Sequence, residues 1–169
     1  MSDGAQQSGG FTAYGAAAVS ERLQKMLVHA RAVRRGDDVE ALHDMRVASR
    51  RLRAAISIFE PAFRGTRFLK FQAEIRRVTR ALGEARDLDV MIETLETLAA
   101  TVPTTQRAGI DALVERRRAE RLTSQYAVMA AMERVESRDL AVWFAEIAAE
   151  AAIHNAPIPA TTEDHDATA

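Results

Sequence analysis

Apolar residues recur along most of this chain at alternating three- and four-residue steps, the period of a helix with one buried face. Val19, Leu23, Met26, Leu27, Ala30 and Val33 predict a first helix from about Ala13 to Arg34, with Gly36 as its C-terminal stop. Asp37 or Asp38 then caps a second helix that runs to about Glu60, where Pro61 ends it. After a short loop containing Gly65, Phe68, Leu69, Phe71, Ile75, Val78 and Leu82 mark a third helix from Thr66. Leu88, Val90, Met91, Leu95 and Leu98 continue it to about Ala100. Gly83 interrupts this pattern as either a kink or a close helix contact.

Thr101 to Thr105 reads as a loop with an N-cap. A fourth helix follows from about Thr105 to Val135, with Ile110, Leu113, Val114, Leu122, Tyr126, Met129 and Met132 on its apolar side. Ser137 caps a shorter fifth, Arg138 to about His154, carrying Leu140, Val142, Trp143, Phe144 and Ile147. No segment alternates with period two. The pattern predicts an all-α antiparallel bundle of four long helices plus a shorter fifth. Residues 1–12 are expected to be a disordered tail, 13–154 the helical domain, and 155–169, with its Pro, Thr, Asp and Glu, a disordered acidic tail.

The 169 residues suit one domain. With no cysteine, disulfides, thiolate metal sites and thiol nucleophiles are excluded. No apolar run approaches the ~20 residues of a membrane span, and the N-terminus has no signal-peptide pattern. A cytoplasmic protein is the expectation.

Charge changes the picture more. The net charge is −1. Between His43 and Arg86, however, ten arginines and Lys70 face four acids, a local charge of +7, whereas Glu133 to the end carries −6. At about 100° per residue, His43, Arg46, Arg50 and Arg53 fall within one arc of about 80°. Met45, Leu52, Ile56 and Phe59 point elsewhere. Such a stripe of cations suits a polyanion, and arginine forks grip phosphate oxygens well. Arg76 and Arg80 on the third helix, and Arg117 and Arg121 on the fourth, repeat one-turn pairs that a bundle could bring to one groove. The alternative is three solvated faces with local ion pairs to Glu74, Glu84, Glu115 and Glu120.

His43 has no partners at metal spacing and no nucleophile in register, so it reads best as an anion ligand beside Arg46. Asp87 and Asp89, two apart, do not face each other on a helix, and Asp87 is expected to brace an arginine. No Gly-rich phosphate loop, nucleophile elbow or zinc spacing occurs, so neither enzyme activity nor a cofactor or metal is expected.

The run His43-Asp44-Met45-Arg46-Val47-Ala48-Ser49-Arg50-Arg51-Leu52-Arg53, with Phe59 after it, resembles the signature of the CHAD family, the conserved histidine α-helical domain. Ala81-Leu82-Gly83-Glu84-Ala85-Arg86-Asp87-Leu88-Asp89-Val90 is similar to that family's second signature. Arg117, Arg121 and Ser124 to Tyr126 are similar to its fourth helix. The resemblance spans about Ala13 to Val135. It implies a helical protein that binds inorganic polyphosphate through basic residues lining a cleft, in some members at polyphosphate granules. It implies that His43, Arg46, Arg50, Arg53, Arg76, Arg80, Arg86, Arg117 and Arg121 contact phosphate. The family's domain has two similar halves. Nothing after Val135 resembles the second, so a half-domain that pairs with itself or with a second-half partner is expected. The chain also lacks the Glu-x-Glu-x-Lys pattern of the triphosphatase domain fused to some members. Nucleic acid is a poor fit, because no stacking aromatics interleave the stripe. The alternative functions are a helical interaction module and a truncated domain with weak binding.

Overall fold

The computed structural model describes residues 3–36 and 39–156. They form α1 (Asp3–Leu27), α2 (Ala30–Arg35), α3 (Val39–Phe59), a 3-10 turn at Glu60–Ala62, α4 (Thr66–Thr101), α5 (Thr104–Ser137) and α6 (Leu140–His154). No strand occurs among the described residues. The expected all-α class stands.

Many of the periodic positions are buried, although Leu69, Val90, Met91, Leu98, Leu122, Tyr126 and Val142 are exposed. Val19, Leu23, Met26, Ala30 and Val33 follow steps of four and three and all lie in the core. Met45, Leu52, Ile56 and Phe59 of α3 join them, which leaves the cationic stripe on the side of α3 away from the core. Phe63, Phe68, Phe71 and Phe144 form an aromatic cluster with centroids 5.2–5.4 Å apart, and it ties α6 to the start of α4. Gly15 serves Phe59: a Cβ there would stand 2.8 Å from Phe59 Cδ1.

Helix boundaries depart from expectation in four places. The first helix is described from Asp3, ten residues before its expected start near Ala13. Phe11 packs on the Phe59 ring at 5.2 Å, and Thr12 is buried, which gives this segment a reason to order. The same helix breaks after Leu27, where His29 N–H bonds to Met26 O at 3.3 Å. That tighter i→i−3 turn separates α1 from α2. Gly36, at φ 74, caps α2 by donating to Ala32 O and Val33 O. At the other end Ser137 is not the cap of α6. Asp139 is, its carboxylate accepting from Val142 N at 3.2 Å, while Ser137 Oγ donates back to Arg134 O. The loop expected over Thr101–Thr105 shrinks to Val102 and Pro103. The proposed caps Asp37 and Asp38 and the tail from residue 157 lie outside the described residues. Of that tail, Asn155 and Ala156 are described, and Asn155 is fixed by bonds to Thr12 Oγ1 and Ala62 O.

Helices α3 and α5 pack on different flanks of α4 and run antiparallel to it, as the pairs Arg46–Asp87 and Arg121–Asp89 show. α6 takes over from α5 along the lower part of α4, where Arg67 holds Glu146 and Glu150. α4 and α5 outrun the other helices and project as a two-helix hairpin. Its side chains are partnered on one side only, which explains the exposure of Val90, Met91 and Leu98 on α4. Leu122 and Tyr126 of α5 were expected on the apolar side of their helix, yet are 70% and 79% exposed. Gly83 sits in unbroken helix with open space where a Cβ would be, which excludes the close-contact explanation.

Candidate functional site

The helix that carries the stripe, α3, packs against α4, and two separate depressions lie between them. Two contacts set the register. At the upper end Arg46 Nη2 reaches Asp87 Oδ1 at 3.5 Å. At the lower end Arg53 and Arg76 line a common cavity of about 250 Å³ with Ile56, Ser57, Glu60 and Gln72. Antiparallel spacing between these points puts Arg50 level with Arg80. Gln72, one turn before Arg76, accepts a hydrogen bond from it. His43 stands half-buried at the head of the stripe, one turn before Arg46.

On the other flank of α4, Arg121 Nε donates to Asp89 Oδ1 at 2.6 Å and its Nη1 to Gln125 at 2.8 Å. This pair is well shielded, each side chain being 21% exposed. Arg86 lies one turn after the buried Leu82 and one turn before Asp89, on the side of α4 that faces the bundle interior. Arg117 turns to Glu120 on its own helix.

The nine cations therefore do not share one groove. Arg46 meets Asp87, and Arg53 and Arg76 line one cavity, on the α3–α4 side, while His43 and Arg50 belong to the same stripe of α3 and Arg80 follows Arg76 by one turn. Arg121 is held by Asp89 on the α4–α5 side, Arg117 lies one turn before it on α5 and pairs with Glu120, and Arg86 precedes Asp89 by three residues on α4. The two groups meet at one turn of α4, Arg86 to Asp89. The physical reason is the two-residue separation of Asp87 and Asp89, about 200° around the helix, which braces Arg46 on one flank and Arg121 on the other. The expected pairing of Asp87 with an arginine is present. The Asp89 brace and the roles of Gln72 and Gln125 went unread. The spacing Asp89–Arg121 carries no local signal, because the partners are 32 residues apart.

Local ion pairing separates some arginines from others, but not along the boundary of the stripe: Arg22, Arg31, Arg51, Arg64, Arg107 and Arg116 also have no carboxylate within 4.0 Å among the described residues. Arg77 pairs with Glu74, Arg118 with Glu115 and Glu96, and Arg117 with Glu120, as solvated faces do. Among the described residues no carboxylate lies within 4.0 Å of Arg50, Arg53, Arg76, Arg80 or Arg86. Within the described residues no group of three or more His, Asp and Glu side chains is placed to hold a metal.

A family profile described as the CHAD domain matches residues 17–166. The chain belongs to the CHAD family. The match takes in α1 from Ala17, both signature helices and α6, running past Val135. A 74-residue stretch, 44% of this chain, is 35% identical to an uncharacterized protein of Mycobacterium tuberculosis (strain CDC 1551 / Oshkosh) and covers 14% of that protein's length. No solved structure matches the chain. Within this CHAD domain the Arg46–Asp87 contact joins the two signature segments, His43–Arg53 on α3 and Ala81–Val90 on α4. No described helix is long and apolar enough to cross a membrane.

Proposed function

We propose that this CHAD domain binds inorganic polyphosphate, or a closely similar linear polyanion, without chemically transforming it. What supports the reading is that Arg50 and Arg53 on α3, and Arg76 and Arg80 on the helix packed against it, have no carboxylate within 4.0 Å among the described residues, and that Arg53 and Arg76 line one cavity. Cations left in rows repel one another, and a chain of phosphates relieves that repulsion at successive turns. Arg46, held by Asp87, and His43 receive the polyanion at the upper end. From there Arg86 and Arg121 offer a path onto the other flank of α4, with Arg117 one turn further along α5. Family membership supports the same ligand. Association with polyphosphate granules follows from it.

The test is titration with long-chain polyphosphate at low salt, on the native chain and on Arg50→Glu/Arg53→Glu/Arg80→Glu. Binding that is lost in the variant and weakens steeply with salt supports the reading. Equal binding by the variant refutes the site. Competition with single-stranded nucleic acid separates the ligands: displacement of polyphosphate by nucleic acid at low concentration would instead support an interaction module.

A second observation favours a protein partner in addition. Val90 and Met91 line a depression of about 600 Å³ with Arg46, Asp87, Thr94 and Leu95, next to the head of the stripe. A second copy of the chain, or a helical partner resembling the other CHAD half, covers this apolar face in our reading. Light scattering with and without polyphosphate tests it.

A further inference from the structure

The Arg53–Arg76 cavity lies close to where the described chain ends. Asn155 Nδ2 bonds to Ala62 O at 3.2 Å, in the segment that joins α3 to α4. His154 and Asn155 share a cavity of about 270 Å³ with Arg64 and Gly65 of the same segment. The thirteen residues after Ala156 carry Glu163, Asp164 and Asp166 and neither lysine nor arginine. Seven extended residues span about 23 Å, whereas the nine helical steps from Ala62 back to Arg53 cover about 14 Å. The carboxylates are thus tethered within reach of Arg64, Arg53 and Arg76. Glu60 is the one carboxylate lining the Arg53–Arg76 cavity.

We infer that the acidic segment Glu163–Asp166 docks at this chain's own Arg53–Arg76 cavity and competes there with the polyanion. Charge complementarity supplies the attraction. The short tether raises the local carboxylate concentration to the millimolar range or above, so weak contacts suffice. The segment acts as a built-in competitor that sets a threshold: short or dilute anions meet an occupied cavity, and a long polyphosphate displaces the segment by engaging the upper end of the stripe first. The competition rests on the proposed polyphosphate function. The docking does not.

Two measurements on the full chain separate them. The native sequence has no cysteine, so a nitroxide on Ala167→Cys labels one site. At low salt it should broaden the amide signals of Ser57, Gln72 and Arg76. The broadening should vanish at high salt and in Glu163→Gln/Asp164→Asn/Asp166→Asn. That triple variant should bind polyphosphate about three- to fivefold more tightly at low salt, with the difference closing as salt rises. Absence of broadening beyond that of the neutralised variant overturns the inference, as does equal polyphosphate affinity of the two forms. Broadening in a chain that binds no polyphosphate supports the docking and refutes the polyphosphate reading instead.

Discussion

Replacing Arg50 and Arg121 separately with glutamine should produce opposite patterns of damage. Arg50 is exposed on the stripe and has no carboxylate partner among the described residues, so its loss leaves no buried charge behind. Exposed substitutions of this kind change stability by about 0.5 kcal/mol or less. What Arg50→Gln removes is one phosphate contact. For a single-stranded polyanion each contact contributes about 0.7 to the slope of log affinity against log salt, so the slope should fall in magnitude by about that much. Affinity at low salt should drop about fivefold, the scale of one charge-assisted contact on an exposed face.

Arg121 differs because Asp89 depends on it. Both side chains are 21% exposed and meet at 2.6 Å, while Asp89 Oδ2 is buried without a hydrogen-bond partner. Arg121→Gln therefore strands a shielded carboxylate, at a cost of about 1–3 kcal/mol. At roughly 2–4 °C per kcal/mol for a chain of this size, the melting temperature falls by about 2–12 °C. Urea unfolding and polyphosphate titration at several salt concentrations, on both variants, read the two effects. An Arg50→Gln protein with unchanged affinity and unchanged salt slope would refute the assignment of the stripe, however stable it proved.

Gly15→Ala should lower stability by about 1–3 kcal/mol in urea melts, because its Cβ meets the Phe59 ring at 2.8 Å; an unchanged midpoint would show that Phe59 yields freely. Asp139→Ala removes the cap of α6 at a left-handed position, φ 38, and should cost about 1–2 kcal/mol by the same assay, whereas Ser137→Ala should cost almost nothing. Polyphosphate at a hundred times its dissociation constant should stabilise the fold by about 2.7 kcal/mol in thermal melts, and equal orthophosphate should not; equal shifts from both would argue against a linear ligand. Met91→Lys/Leu98→Lys should render any dimer monomeric by light scattering without lowering the melting temperature, since both residues are about half exposed, 43% and 48%.

The bundle was legible because burial on a helix repeats. Val19, Leu23, Met26, Ala30 and Val33 announce their face before any partner is known, and the structure buries all five. The stripe from His43 to Arg53 was legible for the complementary reason, since it occupies the arc those rules leave to solvent. Two features were not readable. Tyr126 and Leu122 share the spacing of core residues, but α5 turns Val128, Ala131, Met132 and Val135 to the core and leaves these two exposed. Nor could spacing say that α3 and α5 settle on different flanks of α4, which divides the nine candidate cations into two groups. That outcome depends on which side of α4 each helix packs against, and pairs such as Arg46–Asp87, 41 residues apart, leave no local trace.

Why Arg50, Arg51 and Arg53 of α3 find no carboxylate among the described residues is itself written in the chain. From Met45 to Phe59 there are four arginines and no acid, so none can find a carboxylate three or four residues away within that stretch. On α5 the order is reversed: Glu115 and Glu120 flank Arg116, Arg117 and Arg118, and two of those three pair within their own helix. A surface that merely needed solubility would be served by the α5 pattern, which neutralises as it solvates. The α3 pattern withholds local neutralisation, and α4 carries Arg76 and Arg80 on the face where Asp87 meets Arg46. Asp87 holds Arg46 at 3.5 Å and is 73% exposed, a loose brace, and Glu84, exposed between Arg80 and Asp87, makes no ion pair among the described residues. On the proposed function, the repulsion remaining between these arginines would be the source of affinity: a ligand that supplied regularly spaced negative charge would gain the energy that an α5-like arrangement has already released.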